Sequence, residues 1–164
     1  MKTDTKKLAL MGLFTALAMI FSYIEAILPI SIGIPGVKLG IANLVIVFAL
    51  YRLKPSQAFL INLVRIVLVN LMFGNLAMML YSLSGGFLSF FVMALLKKAG
   101  WCSIYGVSVA GGVFHNVGQL LTAMLVLETM SLIYYGPVLL LSGLLTGLLI
   151  AVVAAEILKR IGND

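Results

Sequence analysis

Residues 137–158 read PVLLLSGLLTGLLIAVVAAEIL, and Glu156 carries the one charged side chain among them. A helix needs about 20 apolar residues to cross the hydrocarbon core of a bilayer, so this segment predicts a membrane-spanning helix. Five further apolar runs precede it, at residues 8–28, 37–51, 55–73, 76–96 and 103–127, separated by short segments with proline, glycine or charge. The sequence therefore predicts an all-α integral membrane bundle of six transmembrane helices, forming a single transmembrane domain over residues 1–164.

The composition of the whole chain agrees with a membrane protein. Of its 164 residues, 63% are hydrophobic and 10% are charged, and the mean hydropathy is +1.20. A soluble domain carries about a quarter charged residues, so a water-soluble globular enzyme is excluded. Six spans use nearly the whole length, which leaves no room for a catalytic domain outside the membrane.

The positive charges predict the orientation of the bundle. If the amino terminus lies in the cytoplasm, nine of the eleven basic residues fall on the cytoplasmic side. The positive-inside rule then predicts a multi-pass protein of the cell membrane with both termini cytoplasmic. The same charges do not form the single basic face that nucleic acid requires, so nucleic acid is not an expected partner. The nine residues are Lys2, Lys6, Lys7, Arg52, Lys54, Lys97, Lys98, Lys159 and Arg160.

The second apolar run is too short to cross a bilayer. From Val37 to Tyr51 a helix rises about 22 Å at 1.5 Å per residue, against a hydrocarbon core of about 30 Å. The preceding segment, Pro29 to Gly36, contains two prolines and two glycines but is otherwise apolar. Either it dips into the membrane as a loop that borders a transport site, or it is a plain connector before a tilted helix.

Arg65 is the most informative single residue. It lies ten residues into the third run, which places it near the middle of the membrane. A charge at that depth costs at least a few kcal/mol, so it must face a partner or a water-filled cavity. We expect it to bind ligand; the alternative is a structural arginine bonded to backbone carbonyls or to a glutamate.

The other candidate binding residues lie in the outer halves of the helices or at mid-depth. In the fifth helix, Gln119 follows His115 by four residues and Asn116 by three, so all three project to one side, although a lone histidine can also be a core residue. The inner halves are almost wholly apolar, so we expect a pocket that opens outward, is closed below, and suits an anionic or polar heteroaromatic solute. The predicted substrate-binding residues are Arg65, His115, Asn116, Gln119, Lys38, Asn43 and Tyr81.

Two stripes of small residues predict close helix packing. Gly143, Gly147, Ala151 and Ala155 repeat every four residues in the last helix, which indicates packing inside the bundle. In the first helix, Gly12 and Ala16 form a similar stripe with Ala9. There the alternatives are internal packing and docking onto a partner protein.

Catalytic motifs are missing from the sequence. There is no nucleophile elbow, P-loop or zinc motif, so we expect no enzyme activity, no cofactor and no metal, and ATP use would require another subunit. The acidic residues number five, and both aspartates, Asp4 and Asp164, lie in the terminal tails.

Three segments carry a resemblance to a known family. They are PGVKLGIAN at 35–43, YSLSGG at 81–86 and HNVGQ at 115–119. These segments resemble the Gx transporter family, which is also described as heptaprenyl diphosphate synthase component I.

The transporter name implies similarity to the S components of energy-coupling-factor (ECF) transporters. Such six-helix proteins capture a small solute from outside, and a transmembrane coupling subunit with ATPases supplies the energy. Their first helix docks through a small-xxx-small motif, usually Ala-xxx-Ala, and Gly12 and Ala16 would take its place here. Their first outer loop helps to close the binding site and corresponds to Pro29–Gly36.

The synthase name implies a different function, namely a part in isoprenoid or menaquinone side-chain synthesis. Trans-prenyltransferases hold magnesium on the diphosphate through aspartate-rich motifs, and this chain has no interior aspartate. It would then be a non-catalytic membrane subunit whose partner is a soluble prenyl diphosphate synthase. A scaffold needs no polar pocket, so the placement of the polar residues favours solute binding.

Overall fold

The computed structural model describes residues 2–27 and 40–161, and these form helices joined by short connections. The six-helix, all-α prediction is confirmed within those ranges, which contain no strand. A short 3-10 helix, Met130–Tyr135, precedes the last helix. The helices are α1 (Lys2–Ile27), α2 (Ile41–Arg52), α3 (Pro55–Phe73), α4 (Leu76–Ala99), α5 (Ile104–Val126) and α6 (Gly136–Ile161).

Five of these helices are long and apolar enough to cross a membrane, as expected of a multi-pass membrane protein. The exception is α2, which has 12 residues and rises about 18 Å. The described helix begins at Ile41, whereas the sequence predicts a start at Val37, and residues 37–39 lie outside the described residues. Gly40 has φ 68° and ψ 29°, a left-handed conformation that interrupts a helix before Ile41.

Although it is short, α2 lies at the centre of the bundle. Its side chains are buried on several sides, as expected of a helix that is apolar all round and covered by protein. Ile46 and Leu50 are almost fully buried and pack with Ile61 of α3, Met93 of α4 and Val107 of α5. This apolar core fills one half of the bundle. The last turns of α2, α4 and α6 lie at the end of that half and carry basic residues, and we call this end of the bundle the basic end.

Lys97 ties α4 to α2 at the basic end. Its Nζ donates a hydrogen bond of 2.5 Å to the carbonyl of Leu50 and lies 4.9 Å from the centre of the Tyr51 ring. A cation beside the carbonyls that end a helix is stabilised by the helix dipole. The basic end is therefore closed by apolar packing and by this lysine.

Glycines allow α5 to pack tightly between α4 and α6. A Cβ atom built on Gly143 of α6 would lie 2.7 Å from the carbonyl oxygen of Gly112, and one on Gly118 would lie 2.8 Å from Cα of Gly85. Ser108 also donates a 2.8 Å hydrogen bond to the carbonyl of Gly147. The predicted internal packing of the α6 stripe is confirmed at Gly143 and Gly147.

The opposite face of α6 is covered with exposed leucines. Leu141 is 60% exposed and Leu149 is 59% exposed, and similar side chains follow the helix along its length. A soluble monomer rarely exposes so much contiguous apolar surface. This surface is therefore suited to contact with lipid.

Candidate ligand-binding cavity

A cavity of about 380 Å³ lies among the six helices, and each of them contributes side chains to its wall. Ligand pockets typically measure about 300 to 1,000 Å³, so the cavity is large enough for a small solute. It reaches Phe73, Gly74 and Met78, at the connection between α3 and α4, and therefore extends toward the end of the bundle opposite the basic end.

Five of the seven predicted binding residues line this cavity. They are Asn43, Arg65, His115, Asn116 and Gln119. Tyr81 is not among the lining residues, and the neighbouring Ser82 takes that position on α4. Lys38 and the segment Pro29–Gly36 lie outside the described residues.

The inner limit of the cavity lies near the middle of the bundle. Arg65 is about 15 Å along α3 from Pro55, and His115 is about 16 Å along α5 from Ile104, at 1.5 Å per residue. Gly40, at the start of α2, also lines the cavity, and a Cβ atom built on it would lie 3.6 Å from Cδ1 of Ile150 in α6. Below this level the apolar core fills the bundle, so the cavity is closed toward the basic end.

Arg65 is held by a single hydrogen bond among the described residues. Its Nη2 atom donates to Oδ1 of Asn62 at 2.6 Å, one helical turn earlier in α3. The Nδ2 atom of Asn62 donates in turn to the carbonyl of Gly86 in α4 at 3.2 Å. The buried Nε atom of Arg65 has no hydrogen-bond partner in the described part of the chain.

Glu25 supplies a negative charge on another wall of the cavity. One of its carboxylate oxygens accepts a 2.5 Å hydrogen bond from the backbone N–H of Gly40. This N–H precedes the first turn of α2, where the helix dipole favours a negative charge. Glu25 therefore links α1 to the start of α2.

The side chains of α5 reach the cavity because glycines lie opposite them. A Cβ atom built on Gly85 would lie 2.7 Å from the carbonyl oxygen of His115 and 2.9 Å from Cγ of Gln119. Asn116 has a structural bond as well, because its Nδ2 atom donates to the carbonyl of Leu139 at 2.7 Å. Asn116 thus connects α5 to α6 while it lines the cavity.

The sequence analysis missed several polar residues of the wall. Ser22 and Thr146 line the cavity, and Asn62 supports Arg65 from behind. The hydroxyl of Thr146 donates to the carbonyl of Ser142 in its own helix, at 3.0 Å. The sequence does contain an indication for Asn62, because it precedes Arg65 by three residues and so lies on the same face of the helix.

Gly12 and Ala16, the predicted docking residues, lie on an exposed face of α1. A Cβ atom built on Gly12 would meet nothing within 4 Å. The described helices therefore leave this face of α1 uncovered. Across the same described ranges, no three His, Cys, Asp or Glu side chains are grouped so that they could hold a metal ion.

The fold and the cavity define a class of protein, a helical membrane protein with a polar cavity that is closed toward the basic end. The family model for heptaprenyl diphosphate synthase component I matches residues 14–157, and the chain belongs to this family. The family predicted under that name is thus confirmed, whereas the resemblance to S components stays a prediction. No curated protein and no solved structure matches the chain.

Proposed function

We propose that this protein is a non-catalytic, multi-pass subunit of the cell membrane that binds a small solute in its cavity. The observation that carries the proposal is the convergence of Arg65, His115, Asn116 and Gln119 on one cavity of about 380 Å³. Charged and polar side chains inside a membrane bundle are costly, and those that persist usually serve binding or transport. Asn43 of α2 completes the proposed set, and Lys38 belongs to it by sequence alone.

The family membership favours the first candidate for its biological role. As component I of a heptaprenyl diphosphate synthase, the chain would act with a second, catalytic subunit, a soluble prenyl diphosphate synthase. Catalysis would fall to that partner, because the chain has two aspartates, Asp4 and Asp164. Both lie in the terminal tails, outside the region that the family model matches. The family match supports this role more directly than it supports transport.

The cavity favours the second candidate, a solute-binding subunit of an uptake transporter similar to an ECF S component. A cavity that is open at one end and closed at the other suits capture of a solute from one side of a membrane. If the basic end is cytoplasmic, as the positive-inside rule predicts, the open end faces outward. Energy would then come from a transmembrane coupling subunit and ATPases that dock on Gly12 and Ala16.

The proposal includes the topology. All six helices would form one transmembrane domain over residues 1–164, with both termini cytoplasmic. In that arrangement α2 spans only the inner part of the bilayer, and its first turn borders the cavity. Surrounding protein would provide hydrogen-bond partners for the non-helical backbone at Gly40.

Mild crosslinking and affinity purification from native membranes distinguish the two candidates. Mass spectrometry would identify both the proteins and the small molecules that remain bound. Recovery of a coupling subunit with ATPases, or of a polar solute, supports the transporter candidate. Recovery of a soluble prenyl diphosphate synthase without them supports the synthase candidate and contradicts the transporter candidate.

A further inference from the structure

Arg65 carries a positive charge, and among the described residues Glu25 acts on it electrostatically without a direct ion pair. Among them it makes no ion pair within 4 Å, and its only hydrogen bond is to the neutral amide of Asn62. Its buried Nε atom has no hydrogen-bond partner there. A guanidinium has five N–H donors in a planar fork, so most of its donor capacity remains for a ligand.

Asn62 fixes the direction of that fork. The amide is 3% exposed and bonds at both ends, accepting from Arg65 with Oδ1 and donating to the carbonyl of Gly86 with Nδ2. Because the amide bridges α3 to α4, rotation of Asn62 would break both bonds. Asn62, which is bonded to Gly86 of α4, therefore holds the guanidinium of Arg65 in one orientation.

The negative charge in the same cavity, that of Glu25, also has a backbone donor on another wall. The carboxylate of Glu25 accepts the N–H of Gly40 at 2.5 Å, beside the positive end of the α2 dipole. The cavity thus has one wall where an anion already meets a backbone donor, and another where the hydrogen bond of a cation goes to a neutral amide while Glu25 acts on that cation electrostatically. A ligand anion would be attracted to the second wall.

We infer that the cavity binds an oxyanion of its ligand, a carboxylate or a phosphate, on the free N–H groups of Arg65, and that Asn62 is a positioning residue for this guanidinium. The inference rests on the proposed function, because it names the chemistry of a ligand in the proposed cavity. Arginine forks match both oxyanions through paired N–H···O bonds. These bonds are also stronger than neutral hydrogen bonds, which gives the cavity a preference for anions.

Matched probes test the preference in the purified full-length protein. Benzoate and benzamide have nearly the same shape, and only benzoate is an oxyanion. Calorimetry should show benzoate binding about tenfold or more tightly, the difference expected from a charge-assisted hydrogen bond. Equal affinities would overturn the oxyanion inference and leave the ligand-binding proposal standing. No binding of either probe at about 10 mM, where even weak complexes form, would overturn both.

Competition then identifies the kind of oxyanion. Displacement of benzoate by inorganic phosphate or pyrophosphate supports a phosphate group on the ligand. Benzoate binding that neither phosphate displaces supports a carboxylate. Either of these two results supports binding of an oxyanion to Arg65. Displacement of benzoate by benzamide at the same concentration as benzoate contradicts oxyanion binding.

Asn62→Leu tests the positioning role, with Ser108→Ala as the matched control. Both residues are 3% exposed, and each donates to a glycine carbonyl of a neighbouring helix, but Ser108 lies away from the cavity. Asn62→Leu should lower benzoate affinity about tenfold and leave benzamide affinity unchanged, whereas Ser108→Ala should change neither. Equal losses for both probes in Asn62→Leu would overturn the positioning role.

A second variant covers the case in which Asn62→Leu does not fold. Asn62→Asp keeps the size of the side chain and places a carboxylate beside Arg65. It should abolish the preference for benzoate over benzamide, because the new carboxylate occupies the guanidinium. Retention of the full preference in Asn62→Asp would contradict the inference.

Discussion

At the scale of single residues, Arg65 decides whether the cavity selects its ligand by charge. We predict that Arg65→Met lowers the affinity for the natural solute, once it is recovered from membranes, about 10- to 100-fold. Methionine is similar in length and apolar, so it removes the guanidinium without placing another polar group at that position. Binding is measured by calorimetry and folding by thermal unfolding.

Arg160→Met is the matched control for this variant. Arg160 lies at the exposed end of α6, where its Nε atom pairs with Glu156 at 2.8 Å. Exposed ion pairs contribute about 0 to 1 kcal/mol, so this change should alter neither binding nor stability appreciably. Unchanged solute affinity in a well-folded Arg65→Met variant would show that the arginine is structural.

Single residues also show how far the sequence could predict the site. Depth along a helix follows from the rise per residue, which is why Arg65 and His115 were expected near the middle of the membrane. The side of a helix that faces the cavity is not predictable in the same way when the helix is apolar on most sides. Adjacent residues differ by about 100°, so Ser82 rather than Tyr81 lines the cavity.

At the scale of helices, the glycine contacts of α5 determine how closely α4 and α6 approach it. We predict that Gly143→Ala lowers the free energy of unfolding by about 1 to 3 kcal/mol, the usual cost of overpacking. The added Cβ would lie 2.7 Å from the carbonyl oxygen of Gly112 and 2.9 Å from Cα of Val113. Both atoms belong to the backbone and cannot move aside cheaply.

Gly12→Ala provides the comparison, since a Cβ there would meet nothing within 4 Å. Alanine is the better helix former by about 1 kcal/mol, so this variant should be as stable as the native protein or slightly more stable. Denaturation in detergent measures both variants. Equal stabilities of Gly143→Ala and Gly12→Ala would contradict the packing described for α5 and α6.

The exposed face of α1 leads to a separate prediction. Replacing both Gly12 and Ala16 with leucine should reduce the amount of partner protein that copurifies, because bulky side chains prevent the close approach of a second helix. The thermal stability of the isolated chain should stay unchanged. Leu13→Ala, at a neighbouring position that is 62% exposed, is the control and should retain the partner. Undiminished copurification in the double leucine variant would exclude docking at this stripe.

The second helix shows where the sequence was informative and where it was not. The short apolar run indicated a helix too short to cross a bilayer, and α2 has 12 residues. The predicted start at Val37 takes no account of Gly40, because a glycine between apolar residues does not reveal a left-handed conformation. Gly40 has that conformation, and its N–H bonds to Glu25, which lies 15 positions earlier. A tertiary contact of this kind is not encoded in local periodicity.

At the scale of the whole molecule, the two halves of the bundle differ in polarity. One half contains the apolar core around Ile46 and Leu50, and the other contains the cavity. Basic residues end α2, α4 and α6 on the side of the apolar core. The direction of the cavity in the membrane therefore depends on which side these charges face, and the positive-inside rule assigns them to the cytoplasm.

The lone cysteine allows this orientation to be measured. Cys102 is exposed in the connection between α4 and α5, at the basic end. We predict that a membrane-impermeant thiol reagent labels it in inside-out vesicles and not in intact cells. For the reverse control, Ser131→Cys in a Cys102→Ser background places the thiol at the opposite end, in an exposed position, and should be labelled in intact cells. The opposite pattern for both thiols would turn the cavity toward the cytoplasm, which contradicts uptake from outside and leaves the synthase subunit as the remaining candidate.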